Sequence, residues 1–282
     1  MEHYRTASAR KALQTTADAA AGAQSIDRAA TLLLLVGRAG SLGARLSDLV
    51  AETDLAKPTV RRMLVALVRA GLLDQSEETR RYHLGPELYV LGSLASERFG
   101  IHTLALRSLV RLSQETGDTA FLSVARDLYS ICLHREEGTY PIRVHALQAG
   151  DRHPLGVGAA SLALLAALPD EEIDEILAAN AAVLAARYPN HSASVLWRLV
   201  QETRASGYAI NPGMLLSDSW GIGMAVRNKD GRPVGALSLA AIQSRLDDKR
   251  QCELLPLLKR EVAELEGRLV QLTSGRSNRG IR

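Results

Sequence analysis

Residues 46–64 read Leu46-Ser47-Asp48-Leu49-Val50-Ala51-Glu52-Thr53-Asp54-Leu55-Ala56-Lys57-Pro58-Thr59-Val60-Arg61-Arg62-Met63-Leu64, and the chain continues to Gly71-Leu72-Leu73 and Arg80-Arg81-Tyr82-His83-Leu84-Gly85. Leu46, Leu49 and Val50 recur at i, i+3 and i+4, which gives a short helix one apolar face. Asp54 tolerates the left-handed geometry of a helix stop. Pro58 suits the first position of a second helix, where its missing N–H is not needed. Val60, Met63, Leu64, Leu67 and Val68 form that helix's buried stripe, and Gly71 closes it. Leu72–Gln75, the polar turn Ser76–Thr79 and the alternating Arg80–Leu84 then read as a charged hairpin. Short helix, tight turn, basic helix and hairpin are the order of a winged helix-turn-helix, a module that reads double-stranded DNA.

Charge supports this locally rather than globally. The formal net charge is only +3. Between Leu55 and Leu73, however, stand four cations, Lys57, Arg61, Arg62 and Arg69, and no acid. Such a cluster neutralises phosphates and gives salt-sensitive affinity. Thr59 and Arg62, near the start of the second helix, are placed to reach base edges in the major groove. Arg80, Arg81 and Tyr82 extend the set into the hairpin, whose tip acids Glu77 and Glu78 repel phosphate. Ser25 reads as the N-cap of an earlier helix carrying Ala29, Leu32, Leu33 and Val36 and ending at Gly40. Arg28 in its first turn serves either backbone phosphate or an ion pair.

The 282 residues, 46% hydrophobic, are enough for two domains. Aromatics at 4% do not supply stacking platforms for single-stranded nucleic acid. The two cysteines, Cys132 and Cys252, form no CxxC pair, which points to a reducing, cytoplasmic setting. The longest apolar run, Leu155–Leu168, is too short to span a bilayer. The first 24 residues carry no secretory h-region and read as a disordered arm whose Arg5, Arg10 and Lys11 either brush DNA or stay solvated.

The domain limits expected are 25–85 for the winged helix-turn-helix, 86–100 for a linker helix with Leu88, Leu91, Leu94 and Ala95 on one face, 101–272 for a sensor domain, and 273–282 for a basic tail. In the sensor domain a helix runs from Ile101 to Thr116. Thr119–Arg126, Leu128–Arg135 and Ile142–Leu147 read as strands. Leu155–Leu168, Asp170–Ala179 and Ser192–Ser206 read as helices. Gly221–Arg227 and Pro233–Ala241 are strands joined by the turn Lys229-Asp230-Gly231, and Leu246–Leu272 is a last helix. Two strand groups around a helical block give an α+β domain with an antiparallel sheet. Gly156-Val157-Gly158-Ala159-Ala160-Ser161 opens a helix with small side chains, which serves either a carboxylate at the helix N-terminus or close packing. Its lack of a third glycine and of a preceding strand rules out a dinucleotide fingerprint.

The chain resembles the IclR family of bacterial transcriptional regulators from about Ser25 to Val270. The resemblance rests on Arg28–Leu35, Leu55–Leu64, Gly71–Leu73, Tyr82–Gly85, Arg152–Ala166, Gly207–Ile210 and Val234–Leu239. It implies an N-terminal winged helix-turn-helix, a C-terminal GAF-like effector domain, and dimers or dimers of dimers on palindromic promoter DNA. It also implies regulation of a catabolic operon, commonly as a repressor, by a small organic acid or aromatic catabolite. By motif position, the effector cavity involves Ala159, Ala160, Ser161, Asn211, Ile222, Ser238 and Ala240. Asn211-Pro212-Gly213-Met214 departs from the acidic residues common there, and Trp220 and Ala240 also depart, so a different or bulkier ligand is expected. Arg143, His145 and Arg152 are further candidates as charge partners of an acid. No cofactor or metal is expected. His134, His145, His153 and His191 lack ligand spacing, and no Gly-x-Ser-x-Gly or His-Glu-x-x-His occurs. The competing readings are a ligand-binding adaptor without specific DNA recognition and, more remotely, an enzyme. Neither the operator sequence, the effector nor the sign of regulation follows from the residues.

Overall fold

The computed structural model describes residues 24–96, 100–142 and 147–277. The chain divides after residue 98 into two compact units. In the first unit, α1 (Gln24–Arg38) leads through a 3-10 turn (Gly40–Leu42) to α2 (Leu46–Ala51) and α3 (Lys57–Arg69). β1 (Leu73–Gln75), β2 (Tyr82–Leu84) and α4 (Pro86–Ser96) follow. Leu32, Val36, Leu49, Val60, Leu64 and Leu73 form the core, with Met63 and Val68 partly buried against it. Gly71 at φ +71° closes α3 as expected. Its N–H reaches Val68 O at 2.9 Å and that of Leu72 reaches Leu67 O at 3.0 Å, so two orphan carbonyls are satisfied.

Several local expectations change. Ser25 lies within the first turn of α1 rather than before it, and α1 ends at Arg38, two residues before Gly40. Asp54 is not left-handed; among non-glycine described residues only Arg80 and Asp127 have positive φ. α2 ends instead on Glu52 in ordinary helical geometry, with the Thr53 hydroxyl bonding back to Leu49 O at 2.8 Å. Pro58 is the second helical residue, after Lys57, a place where a missing N–H is equally harmless. The wing is shorter than its pattern because Arg80 turns left-handed before the second strand begins at Tyr82. Ala44 pairs with Tyr82 from the other side, adding a third stretch of backbone to the wing.

The second unit is built on a six-stranded antiparallel sheet, ordered β5-β4-β3-β8-β7-β6. Its strands are β3 (Thr119–Arg126), β4 (Tyr129–Glu136), β5 (Arg152–Pro154), β6 (Ala209–Leu216), β7 (Ser219–Arg227) and β8 (Pro233–Ile242). Its helices are α5 (Ile101–Thr116), α6 (Ala159–Ala166), α7 (Asp170–Arg187), α8 (Ala193–Ser206) and α9 (Asp248–Ser277). The α+β antiparallel architecture is as expected. Alternation along the strands assigns the two sheet faces. Ala120, Leu122, Ile222, Leu237 and Leu239 pack with Leu109 and Leu112 of α5 and Leu258 and Leu265 of α9. Ala236 packs instead with Leu162 and Leu165 of α6, Leu177 of α7 and Leu196 of α8.

The expected strand at Ile142–Leu147 falls largely on residues 143–146, outside the described ones, and neither Ile142 nor Leu147 is in a strand. The edge partner of β4 is the three-residue β5 instead. β6 was missing from the sequence reading because Pro212 and Gly213 interrupt it. It lies at the sheet edge, the setting in which a strand tolerates a proline such as Pro212. α6 begins at Ala159 rather than Leu155, since Gly156 and Gly158 hold a loop at φ +99° and +89°. α7 runs on to Arg187; Asn180 is buried mid-helix and its amide donates to Leu128 O at 2.9 Å. Ser192 caps α8 by accepting from Val195 N. The arm at 1–23, Arg143, His145 and the tail from 278 lie outside the described residues.

Candidate functional site

The first candidate is the outer face of α3. Lys57, Arg61, Arg62 and Arg69 are exposed there, with Thr59 half-buried in the first turn. Among the described residues, none of these four cations forms an ion pair, and neither does Arg80. Arg61, Arg62 and Arg69 flank Val65, itself 58% exposed. This is a cationic face with no internal claim on its charge. Arg28 is half-buried and likewise makes no ion pair among the described residues.

The wing separates its candidates. Arg80 is exposed. Arg81 is half-buried, and its Nη1 donates to Leu42 O at 3.2 Å and Gly43 O at 2.8 Å. Part of that guanidinium is therefore used to fasten the wing to the loop before α2. Tyr82 is 4% exposed and belongs to the core, so its expectation as a DNA contact is corrected. The period-2 alternation that leaves Arg81 half-buried turns Tyr82 inward. Arg45, exposed at the start of α2, was missed; a lone cation before a short helix carries little signal.

The second candidate is a pocket between α6 and the sheet face opposite α5 and α9. Its empty volume, with the open mouth and adjoining solvent included, is about 540 Å³. Ala159, Ala160, Ser161, Asn211, Ser238 and Ala240 all line it. Ile222 does not: it is fully buried on the other face, and its neighbours Trp220 and Gly221 take its place. Gly221 and Gly223 are there to admit α6. A Cβ on Gly223 would come within 2.9 Å of the Ala159 backbone. The first backbone bond of α6 runs from Leu162 N to Gly158 O at 2.8 Å, leaving the N–H groups of Ala159, Ala160 and Ser161 without intrahelical acceptors. The Ser161 hydroxyl is occupied: it accepts from Gly156 N at 3.0 Å and donates to Pro154 O at 3.2 Å, fastening the loop.

The pocket also holds residues that sequence reasoning did not select, notably Phe121, Ser123, Ser130, Cys132 and His153. Ser130 and His153 face each other across β4 and β5. Arg152, the candidate charge partner, is exposed on the opposite side of β5, so its neighbour His153 enters the pocket instead. Burial, with Arg187 and His191 adding to it, pulls His153 down to about 4, so the imidazole is neutral at physiological pH. Burial and then Asp151 push the Cys132 thiol up to about 12, which keeps it a thiol rather than a nucleophile. No charged side chain lines the pocket among the described residues. Nor do those residues include a group of three metal-binding side chains or a helix long and apolar enough to cross a membrane.

Both units match domains of known proteins. Residues 25–77 match the IclR helix-turn-helix domain. Residues 94–266 match the bacterial transcriptional regulator IclR C-terminal domain. The glycerol operon regulatory protein of Streptomyces coelicolor is 30% identical over 243 residues, 83% of this chain and 90% of that protein. The crystal structure of an IclR transcriptional regulator from Alicyclobacillus acidocaldarius superposes with a TM-score of 0.75 at 25% identity, covering 86% of this chain and 98% of that one. That of an IclR homolog from Microbacterium hydrocarbonoxydans, complexed with 4-hydroxybenzoate, has a TM-score of 0.72 at 20% identity over 87% and 98% of the two chains, and shares the fold.

Proposed function

The chain belongs to the IclR family of bacterial transcriptional regulators, a DNA-binding protein rather than an enzyme, and from that premise we propose that it represses a catabolic operon until a small organic acid, aliphatic or aromatic, fills the pocket of its second unit. The observation that carries this reading is the pocket's meeting with α6, where three N–H groups and the positive end of a helix dipole stand ready for a carboxylate. The 4-hydroxybenzoate bound by the Microbacterium homolog is an acid of this class. The name of the Streptomyces relative refers to an operon for a carbon compound.

Lys57, Arg61, Arg62, Arg69 and Arg80 hold phosphates in this reading, while Thr59 and Arg62 reach base edges. Two copies bind half-sites about one helical turn apart. The apolar face of α4, where Leu91 is 48% and Leu94 64% exposed, is the surface through which the copies pair. The effector acts by binding one arrangement of the dimer more tightly than another. Arg81 contributes to DNA binding through the wing's position.

The test is binding of the full chain to the DNA upstream of its own gene, across a salt series, with and without a panel of small carboxylic acids. Salt-steep binding that one class of acid weakens is the expected result. DNA affinity unchanged by every acid, at concentrations that occupy the pocket, would overturn the coupling.

A further inference from the structure

The pocket contains more polar atoms than a carboxylate at α6 uses. Ser123, Ser130 and Ser238 are 2%, 5% and 5% exposed, and His153 is 8% exposed. Among the described residues, none of the three serine hydroxyls bonds to another protein group. These hydroxyls face the pocket and are open to a ligand there. The cross-strand pairs Ser123–Cys132 and Ser130–His153 place these groups on one sheet face, along the β3-β4-β5 side.

His153 is held in place. Its Nδ1 lies 3.1 Å from the Tyr188 hydroxyl, and Tyr188 is itself 4% exposed in the core of α6, α7 and α8. That contact leaves Nε2 as the free ring nitrogen, without a partner among the described residues. A neutral imidazole offers one donor and one acceptor, so Nε2 presents whichever role Nδ1 does not use toward Tyr188. The Ser130 hydroxyl opposite donates or accepts as required. Together they form a neutral cluster suited to the hydroxyl group of a ligand, with no charge to attract a second carboxylate.

We propose that His153 and Ser130, with Ser123 beside them, form a hydroxyl-reading subsite, and that the effector is therefore a hydroxylated carboxylic acid. The carboxylate half of this statement rests on the function proposed above; the hydroxyl half rests on the cluster alone. His153 is the specificity-determining residue, and Tyr188 positions it. A site whose buried polar groups are completed by a ligand hydroxyl discriminates strongly against the analogue that lacks it.

The experiment is calorimetric titration of the full chain with matched probes. These are benzoate against 4-hydroxybenzoate and 3,4-dihydroxybenzoate, propionate against lactate and glycerate, and glycerol as a hydroxylated molecule without a carboxylate. Within at least one acid series, the hydroxylated member is expected to bind about tenfold or more tightly than its parent. In His153→Leu the preference for the hydroxylated member over its parent acid collapses to within about twofold. Ser130→Ala, a smaller change that leaves the His153–Tyr188 contact intact, reduces the same preference and guards against a folding defect in the first variant. Acids that bind without hydroxyl preference would overturn the subsite and leave the acid effector standing. Glycerol binding in a His153-dependent manner, with no acid bound, would remove the carboxylate reading and keep the subsite. Binding of none of the probes would overturn both.

Discussion

The two units use arginine in opposite ways. On α3 and the wing, Lys57, Arg61, Arg62, Arg69 and Arg80 are exposed and form no ion pair among the described residues. In the second unit several arginines close on carboxylates. Arg111 on α5 grips the fully buried Glu261 of α9, with Nε at 3.0 Å from Oε1, and also contacts Glu264. Arg260 bridges Glu261 and Glu115, and Arg245 meets the buried Asp118 at 2.9 Å. Burial would raise the Glu261 carboxyl, but hydrogen bonds led by that from Arg111 outweigh it and hold the group below its usual range. A cation that is to bind phosphate must not be neutralised at home. A cation that joins two helices must be.

This contrast is open to direct attack. The largest effect is expected from Arg61→Ala/Arg62→Ala. Operator affinity should fall by about a thousandfold and the salt slope by about 2, with the thermal midpoint unchanged. A loss of stability without a change in salt slope would mean that these arginines serve the fold. Glu261→Ala should cost about 3 kcal/mol in urea unfolding, because it leaves Arg111 and Arg260 facing each other without their shared acid. A cost below about 1 kcal/mol would reduce the network to ordinary surface pairing.

Acid separates the units differently. His153 stays neutral down to about pH 4 in the fold, while in the unfolded chain it takes its proton near pH 6.5. Stability is therefore complete above about pH 6.5 and falls as pH drops towards 4, by up to about 3 kcal/mol. His153→Gln should flatten this part of the profile, as followed by urea midpoints across that range. A wild-type and variant profile of equal slope would assign the acid sensitivity elsewhere.

Val65→Glu tests the contrast by making the first unit resemble the second. The new carboxylate would stand within one helical turn of Arg61, Arg62 and Arg69. DNA affinity should drop by about tenfold, while α3 gains no more than about 0.5 kcal/mol from i,i+4 pairing. Undiminished DNA binding would show that the unpaired state of these cations is incidental. The smallest effect belongs to Glu202→Ala. It removes the exposed Arg198–Glu202 pair at 2.6 Å, and the unfolding free energy should change by less than about 0.5 kcal/mol.

The residue pattern disclosed the winged helix almost completely, because each of its elements is short and locally determined. Pro58 starts a helix, Gly71 stops it, and the i, i+3, i+4 stripe has only one side to bury. The same held for Ile101–Thr116, whose end at Gly117 has the expected left-handed φ of +74°. What was hidden depended on distant partners. β5 is a strand only because β4 accepts it, and β6 tolerates Pro212 only because it lies at the sheet edge. The pocket was half legible. Motif position pointed to Ala159, Asn211 and Ser238, but choosing Ile222 over Gly221 and Arg152 over His153 required knowing which sheet face each strand residue meets. A one-residue step decides that, and no local pattern announces it.

The sheet's alternation has a consequence for how such a protein changes over time. In β3, β7 and β8, successive residues divide into those holding the helical layer and those lining the pocket: Leu122 beside Ser123, Ile222 beside Gly221, Leu237 beside Ser238. The two sets meet largely different neighbours, so substitutions in one couple less with substitutions in the other than among themselves. A lineage can exchange the pocket-facing positions one at a time, sampling new signals, while the alternate positions keep the domain folded. Diversification of what the protein senses is thus decoupled, by the pleat of a strand, from the risk of losing the protein.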